Sequence, residues 1–99
     1  MWYAIEGHDG DDVLALRRQA RTRHLARLEA LRYAGRLLLA GPCPRTDAED
    51  PGPAGFSGSI VIAEFASLDE AREWADADPY VEAGVYARVD VRPFRPVLP

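Results

Sequence analysis

The clearest β-strand in the sequence is Gly58-Ser59-Ile60-Val61-Ile62-Ala63-Glu64-Phe65-Ala66. Ile62 points to one side of this strand and its neighbours Val61 and Ala63 point to the other, so both sides are apolar. A strand with one face in water alternates apolar with polar residues instead. Both faces of the sheet that contains this strand are therefore expected to be buried.

The rest of the chain predicts the elements around this strand. Further strands are predicted at residues 2–6, 36–41 and 85–92, with a helix at residues 12–34 and a second helix after the strand at residues 58–66. The order β-α-β-β-α-β is that of a ferredoxin-like α+β fold, an antiparallel sheet with both helices on one face. Because no helix is left for the other face, we expect a homodimer packed sheet to sheet.

The predicted helices carry end signals of their own. Asp11 or Asp12 is expected to cap the long helix, and Gly35 stands where a left-handed C-terminal cap belongs. Ser67, with Glu70 three residues later, is the capping-box pattern that opens the second helix.

Length, charge and cysteine content exclude several classes of protein. A chain of 99 residues makes one domain, residues 1–99. The net charge of −4 argues against a nucleic-acid partner, which favours a basic surface. Cys43 is the single cysteine and has no intrachain partner, and no apolar run is long enough for a bilayer. No signal peptide is visible, so a soluble cytoplasmic protein is expected.

His24 is the first candidate for chemistry. It belongs to a stripe of positions that share one face of the long helix: Val13, Leu16, Ala20, His24, Leu28 and Leu31. The functional interpretation is a general base, since histidine titrates near neutral pH and a nearby carboxylate can orient it. The structural interpretation is a buried imidazole bonded to one backbone carbonyl.

Asp78 is the second candidate, in the segment after the second helix. Aspartate before Pro79 is a standard helix cap, and this role alone accounts for it. Two helices on one sheet face can also bring Asp78 next to His24. We therefore expect a direct or one-water contact between the two side chains, at about 2.6–3.2 Å if direct.

Other polar residues have both a binding and a structural interpretation. Arg21 lies one turn before His24 and could reach an anionic ligand, or it is a solvated charge. The predicted loop at residues 42–57 is long enough to border a ligand cleft. Gly41-Pro42 and Gly58-Ser59 flank this loop, where glycine permits close approach to a ligand and also suits a turn.

Two further groups of residues are candidates for chemistry, and several known motifs are absent from the sequence. Cys43 lies between prolines with no base near it in sequence, and His8-Asp9 with Asp11 and Asp12 form either a cation site or a polar turn. The chain has no phosphate-binding glycine loop, dinucleotide fingerprint, serine elbow or zinc-protease helix. No metal and no cofactor are therefore predicted.

Five segments resemble the YciI-like family in order and spacing: Arg21-x-x-His24-Leu25-x-x-Leu28, Gly35-x-Leu37-Leu38-x-Ala40-Gly41-Pro42, Gly55-Phe56-x-Gly58-Ser59, Trp74-x-x-x-Asp78-Pro79-Tyr80-Val81-x-Ala83-Gly84-Val85, and Pro93-Phe94. The resemblance runs over almost the whole chain. It implies a ferredoxin-like domain that dimerises through its sheets, within the dimeric α+β barrel superfamily. It also implies a catalytic pair in a cleft, at the positions of His24 and Asp78 here.

The resemblance suggests a class of reaction as well. Proteins of the same superfamily include muconolactone isomerases and a dehydrochlorinase of a chlorinated hydroxyquinol. The sequence therefore predicts a cofactor-independent lyase or isomerase that acts on a small, aromatic or lactone-like anion, with Tyr80 and the chain near Gly41, Pro42 and Ser59 in contact with substrate. The alternative is a non-catalytic dimer that binds a small ligand or regulates another protein, in which His24 and Asp78 form a structural hydrogen bond.

Overall fold

The computed structural model describes all of residues 1–99. Its elements follow one another in this order: β1 (Trp2–Asp9), α1 (Leu14–Tyr33), β2 (Leu37–Pro44), a 3-10 turn (Gly52–Ala54), β3 (Phe56–Glu64), α2 (Leu68–Asp76), α3 (Pro79–Glu82) and β4 (Tyr86–Phe94). The predicted β-α-β-β-α-β order is confirmed, with α3 as a short additional turn of helix before β4. None of the helices has the length and apolarity that a membrane crossing requires.

The four strands form one antiparallel sheet in the order β2-β3-β1-β4. Ile5 of β1 lies opposite Val61 of β3 on one side and Val91 of β4 on the other. This row faces the helices, where α1 and α2 bury it with Leu28, Leu31, Ala71 and Ala75. The architecture is the expected α+β ferredoxin-like fold, with the core between one sheet face and the helices.

The strand β2 is longer than predicted and β3 begins earlier, at Phe56, so the loop between them is shorter. Residues 42–44 belong to β2, where Pro42 pairs with Ser59, so the expected loop at residues 42–57 is reduced to residues 45–55. Proline was interpreted as a loop residue, yet β2 lies at an edge of the sheet. An edge strand tolerates proline because one of its sides needs no N–H donors for the ladder.

The start of α1 also differs from the prediction. Val13 is its N-cap and makes no side-chain hydrogen bond there, so neither Asp11 nor Asp12 caps the helix. Asp12 lies in the preceding turn with φ at +54°, a conformation that aspartate tolerates better than most residues. Gly35 is the predicted left-handed cap, with φ at +72°.

In the first turn of α1, the residue that faces inward is one position later than predicted. Ala20, His24, Leu28 and Leu31 are buried as expected, whereas Leu16 is 37% exposed. Arg17 is buried at that turn instead, with 6% of its surface exposed. The prediction placed the apolar residue inside, and the structure places the charged one there.

The caps of the two short helices follow the sequence. Ser67 Oγ accepts a hydrogen bond from the Glu70 N–H, as the capping box predicts, and the Glu70 carboxylate accepts one from the N–H of Ala66, the residue before the N-cap. Asp78 is the N-cap of α3, with Pro79 at the first helical position. These caps decide where the segment that carries Asp78 turns back toward α1.

The second face of the sheet is not covered by the chain. Ile60 of β3 on this face is 36% exposed, and Leu39 of β2 is 51% exposed. Strand alternation and pairing place further apolar residues on the same face: Trp2, Ala4, Ile62 and Phe94. We call these six residues, Trp2, Ala4, Leu39, Ile60, Ile62 and Phe94, the open sheet face.

Candidate active site

His24 and Asp78 are in direct contact in the protein interior. Nδ1 of His24 lies 2.8 and 2.9 Å from the two carboxylate oxygens of Asp78, within the expected range. Both residues are about 95% buried, at 5% and 4% exposure. Carboxylate oxygens accept hydrogen bonds, so Nδ1 is the donor in this contact and Nε2 takes no part in it.

The helix cap holds Asp78 in place for this contact. Its Oδ1 also accepts a hydrogen bond from the Tyr80 N–H at 2.8 Å, while Pro79 has no N–H to compete. Two independent donors, one from the α3 backbone and one from α1, therefore fix the orientation of the carboxylate. Nε2 of His24 has no hydrogen-bond partner in the protein, which makes it the ring atom available to a ligand.

Tyr80 covers one face of the imidazole. The two rings are stacked with centroids 3.9 Å apart and planes 9° apart, and the ring of Tyr86 meets Tyr80 edge-on at 5.5 Å. Burial raises the pKa of Tyr80, although the positive charges of Arg17 and Arg21 oppose the rise. Tyr80 therefore stays a neutral phenol at neutral pH.

A recess of about 250 Å³ lies beside His24, between α1 and the strands β2 and β3. All five residues predicted to contact substrate line it: Arg21, Gly41, Pro42, Ser59 and Tyr80. Leu25, Leu28 and Val61 supply an apolar wall. A site that is mostly apolar with a few converging polar groups is the usual form of a small-molecule site.

Arg17 is part of the same recess and was missed by the sequence analysis. Its Nε and Nη2 donate to the carboxylate of Asp9, and Nη2 also donates to the Gly58 carbonyl at 3.0 Å and to Ser59 Oγ at 2.7 Å. A signal for it was present in the sequence. Seven residues make nearly two helical turns, so Arg17 and His24 share a face of α1.

The buried guanidinium of Arg17 keeps its charge beside Asp9. Burial by itself lowers the pKa of the Arg17 guanidinium, but the hydrogen bonds and the charge of Asp9 outweigh it, so the net pKa is raised. The recess beside His24 therefore contains a permanent cation at neutral pH.

The loop at residues 45–55 lies next to this site. Its segment 50–52 lines a second recess of about 300 Å³, which shares Arg17, Arg21 and Tyr80 with the first. The predicted position of the loop near the cleft agrees with this placement, although the loop itself contributes to the neighbouring recess rather than to the one beside His24.

The remaining candidate residues lie elsewhere. His8 points to the far side of β1, where its Nε2 is 3.0 Å from Asp90 and 3.6 Å from Glu6, so the suggested cluster of His8 with Asp9, Asp11 and Asp12 does not form. Asp11 and Asp12 are exposed. Cys43 lies in β2 opposite Gly58 and does not line the recess beside His24.

The fold and the site together define a class of protein: small ferredoxin-like α+β domains with a buried histidine-carboxylate pair beside a recess. The chain belongs to the family of the YCII-related domain, whose model matches residues 1–95. The resemblance drawn from the sequence segments is thereby confirmed.

The relatives cover the chain almost completely. It is 58% identical to Protein YciI of Escherichia coli O6:H1 over 98 residues, which is 99% of this chain and all of that protein. An uncharacterized protein of Haemophilus influenzae is 53% identical over the same coverage. These relatives establish the family, and their names do not state an activity.

One solved structure adds a chemical context. The 5-chloro-2-hydroxyhydroquinone dehydrochlorinase of Burkholderia phenoliruptrix AC1100, in complex with 2,5-dihydroxybenzoquinone, superposes with a TM-score of 0.84 and 27% identity, over 96% of this chain and 94% of that one. The chain is therefore similar to domains that process small molecules.

Proposed function

We propose that the protein is a cofactor-independent enzyme that transfers a proton within a small anionic substrate, as a lyase or an isomerase. The proposal is supported by the hydrogen bonding of the two ring nitrogens of His24. Its Nδ1 is held by Asp78, whereas its Nε2 has no protein partner beside a recess of about 250 Å³. The similarity to a 5-chloro-2-hydroxyhydroquinone dehydrochlorinase supports a small aromatic substrate.

His24 acts as the general base in this proposal. Nε2 takes a proton from the substrate, and the negative charge of Asp78 stabilises the imidazolium that forms. In a lyase reaction the electrons of the broken O–H or C–H bond form a double bond as the leaving anion departs. In an isomerase reaction Nε2 returns the proton to a different atom. A positioned acid-base group of this kind contributes about 10²–10⁴-fold to the rate.

The residues around the recess bind and orient the substrate. Arg21 supplies charge for an anion, Ser59 and Tyr80 supply polar and aromatic contacts, and Gly41 and Pro42 bring the β2 backbone close. The binding part of the proposal is supported by their common position on one recess. No step of the mechanism needs a cofactor.

The dyad is tested with His24→Gln and Asp78→Asn, with Asp76→Asn on the exposed side of α2 as the control. The assays are exchange of carbon-bound hydrogen for deuterium in muconolactones, followed by NMR in D₂O, and release of chloride from chlorinated hydroquinones. We expect both reactions to be lost in His24→Gln and slowed in Asp78→Asn, which keeps the cap but loses the charge. Thermal melts of each variant show that it is folded.

The alternative function is a non-catalytic ligand-binding or regulatory dimer. Its support is that Asp78 already has a structural task as the cap of α3. In that case both substitutions lower the melting temperature, and none of the proteins, including the wild type, catalyses exchange. Wild-type exchange that persists in folded His24→Gln would contradict the proposed role of His24.

The proposal also includes a homodimer, a small-molecule partner and a cytoplasmic location. The open sheet face supports a homodimer, because a second copy offers a matching apolar surface. The acidic net charge of −4 supports a small-molecule partner and no nucleic acid, and the lone thiol of Cys43 suits the cytoplasm.

A further inference from the structure

Arg17 lies where the two recesses meet. The recess beside His24 and the recess along the loop share four lining residues: Arg17, Arg21, Pro42 and Tyr80. The second recess continues from Tyr80 toward residues 50–52 and adds about 300 Å³. A ligand that reaches His24 therefore has room to extend past Arg17.

The guanidinium of Arg17 is held rigidly and is not fully used. Nε and Nη2 make all of its hydrogen bonds, to Asp9, Gly58 and Ser59, which leaves Nη1 without a protein acceptor. Its central carbon also lies 4.9 Å from the centroid of the Tyr80 ring. A donor that is already fixed in place binds an anion without the loss of side-chain entropy that a flexible arginine incurs.

The charges around the second recess favour an anion. Three arginines line it, Arg17, Arg18 and Arg21, and neither Arg18 nor Arg21 forms an ion pair or a side-chain hydrogen bond within the protein. The opposing carboxylates are Asp9, which is bonded to Arg17, and Asp50, which accepts the Gly52 N–H. Three cations against two anions leave one positive charge in excess.

We propose that Arg17 Nη1 and the guanidinium of Arg21 form a carboxylate subsite at the junction of the recesses. The inference deepens the proposed function, on which it rests: the substrate is an acid whose carboxylate is separate from the atoms that react at His24. A planar carboxylate offers one oxygen to each guanidinium. A substituent on the carbon that bears the carboxylate occupies the second recess, against the apolar side chains of Leu14 and Phe56.

Benzoate and benzamide are suitable probes, because they share a shape and differ in charge. Their dissociation constants are measured by NMR titration of the ¹⁵N-labelled protein at neutral pH, in a buffer without carboxylate or phosphate. We expect the wild type to prefer benzoate by about tenfold, the size of one charge-assisted contact. Arg32→Met, on the last turn of the same helix and paired with Glu29, is the control and should keep the preference.

The decisive variant is Arg17→Met combined with Asp9→Asn. Removing both charges avoids the buried unpaired carboxylate that Arg17→Met alone would leave. We expect this double variant to remain folded and to lose the benzoate preference. If melts show that it is unfolded, Arg17→Lys decides, because it keeps the charge but lacks the second amino group, and it should weaken benzoate binding selectively.

Other outcomes overturn the subsite. These are equal affinity of the wild type for both probes, absence of benzoate binding, or a preference that survives the loss of Arg17 and disappears in His24→Gln, which would place the anion on the imidazolium. The probes are not turned over, so this result is independent of the deuterium-exchange assay. Failure of the exchange assay would therefore contradict the role of His24, whereas failure of the probe titration would contradict the subsite at Arg17.

Discussion

Two tyrosine hydroxyls lie beside the histidine-aspartate pair, and burial changes how they ionise. Burial raises the pKa of Tyr86, while the neighbouring Ser59 hydroxyl opposes the rise. Burial also raises the pKa of Tyr80. Both side chains therefore hold their protons in the folded protein under conditions in which an unfolded tyrosine, with a pKa of about 10, has lost its own.

This difference predicts a loss of stability at alkaline pH. Above about pH 10 the unfolded chain binds fewer protons than the folded one, so the free energy of unfolding falls by about 1.4 kcal/mol per pH unit for each such tyrosine. Tyr86→Phe removes one of the two groups, and its stability should fall less steeply. The measurement is urea denaturation across this range of pH, and Tyr33→Phe, at a 97% exposed position, is the control. Equal slopes for wild type and Tyr86→Phe would contradict the explanation.

At the level of single residues, the sequence predicted the contact between His24 and Asp78 but not the buried position of Arg17 beside it. His24 was found because an imidazole interrupts an apolar stripe, and Asp78 because Asp-Pro is a cap. Arg17 was missed because an arginine on a helix is ordinarily solvated. Its inward position depends on Asp9 at the end of β1 and on Ser59, which is 42 residues away in the chain. Helical periodicity contains no information on such partners.

The junction of β1 and β4 depends on the absence of a side chain at Gly7. A Cβ at this position would lie 2.4 Å from the Tyr86 ring, closer than any ordinary contact. Gly7→Ala should therefore displace Tyr86 and lower the free energy of unfolding by about 1–3 kcal/mol, the usual effect of overpacking. Gly10→Ala is the matched control, because its Cβ would meet Val13 at 3.7 Å. Chemical denaturation compares the two, and similar stabilities would refute this account of the junction.

Element boundaries were predicted well where local chemistry decides them. Gly35 and Ser67 end and begin helices through their own backbone conformation or hydroxyl, which a sequence displays directly. The extent of β2 was not predictable in this way. Pro42 and Pro44 belong to a strand only because β2 lies at the edge of the sheet, and strand order is a property of the tertiary fold.

For the whole molecule, the order of elements was sufficient to predict the architecture. A β-α-β-β-α-β chain with antiparallel strands has few ways to place both helices on one sheet face, and the structure adopts the ferredoxin-like one. The same order of elements supplies helices for only one face of the sheet, so the other face requires a second molecule to cover it. The chain has no element to cover the open sheet face, although Ile60 and Leu39 on that face are exposed apolar side chains.

A homodimer through the open sheet face is therefore the expected assembly. Ile60 and Leu39 are 36% and 51% exposed in the single chain, and burying such side chains stabilises an interface by about 25 cal/mol per Å² of apolar surface. Ile60→Glu would place an unpaired charge in this interface, at a cost of several kcal/mol. Light scattering at micromolar concentration should give twice the chain mass for the wild type and a single-chain mass for Ile60→Glu. Tyr33→Glu, at a 97% exposed position at the end of α1, should leave the dimer intact. A wild-type protein with the mass of one chain would show that the open sheet face remains in contact with water.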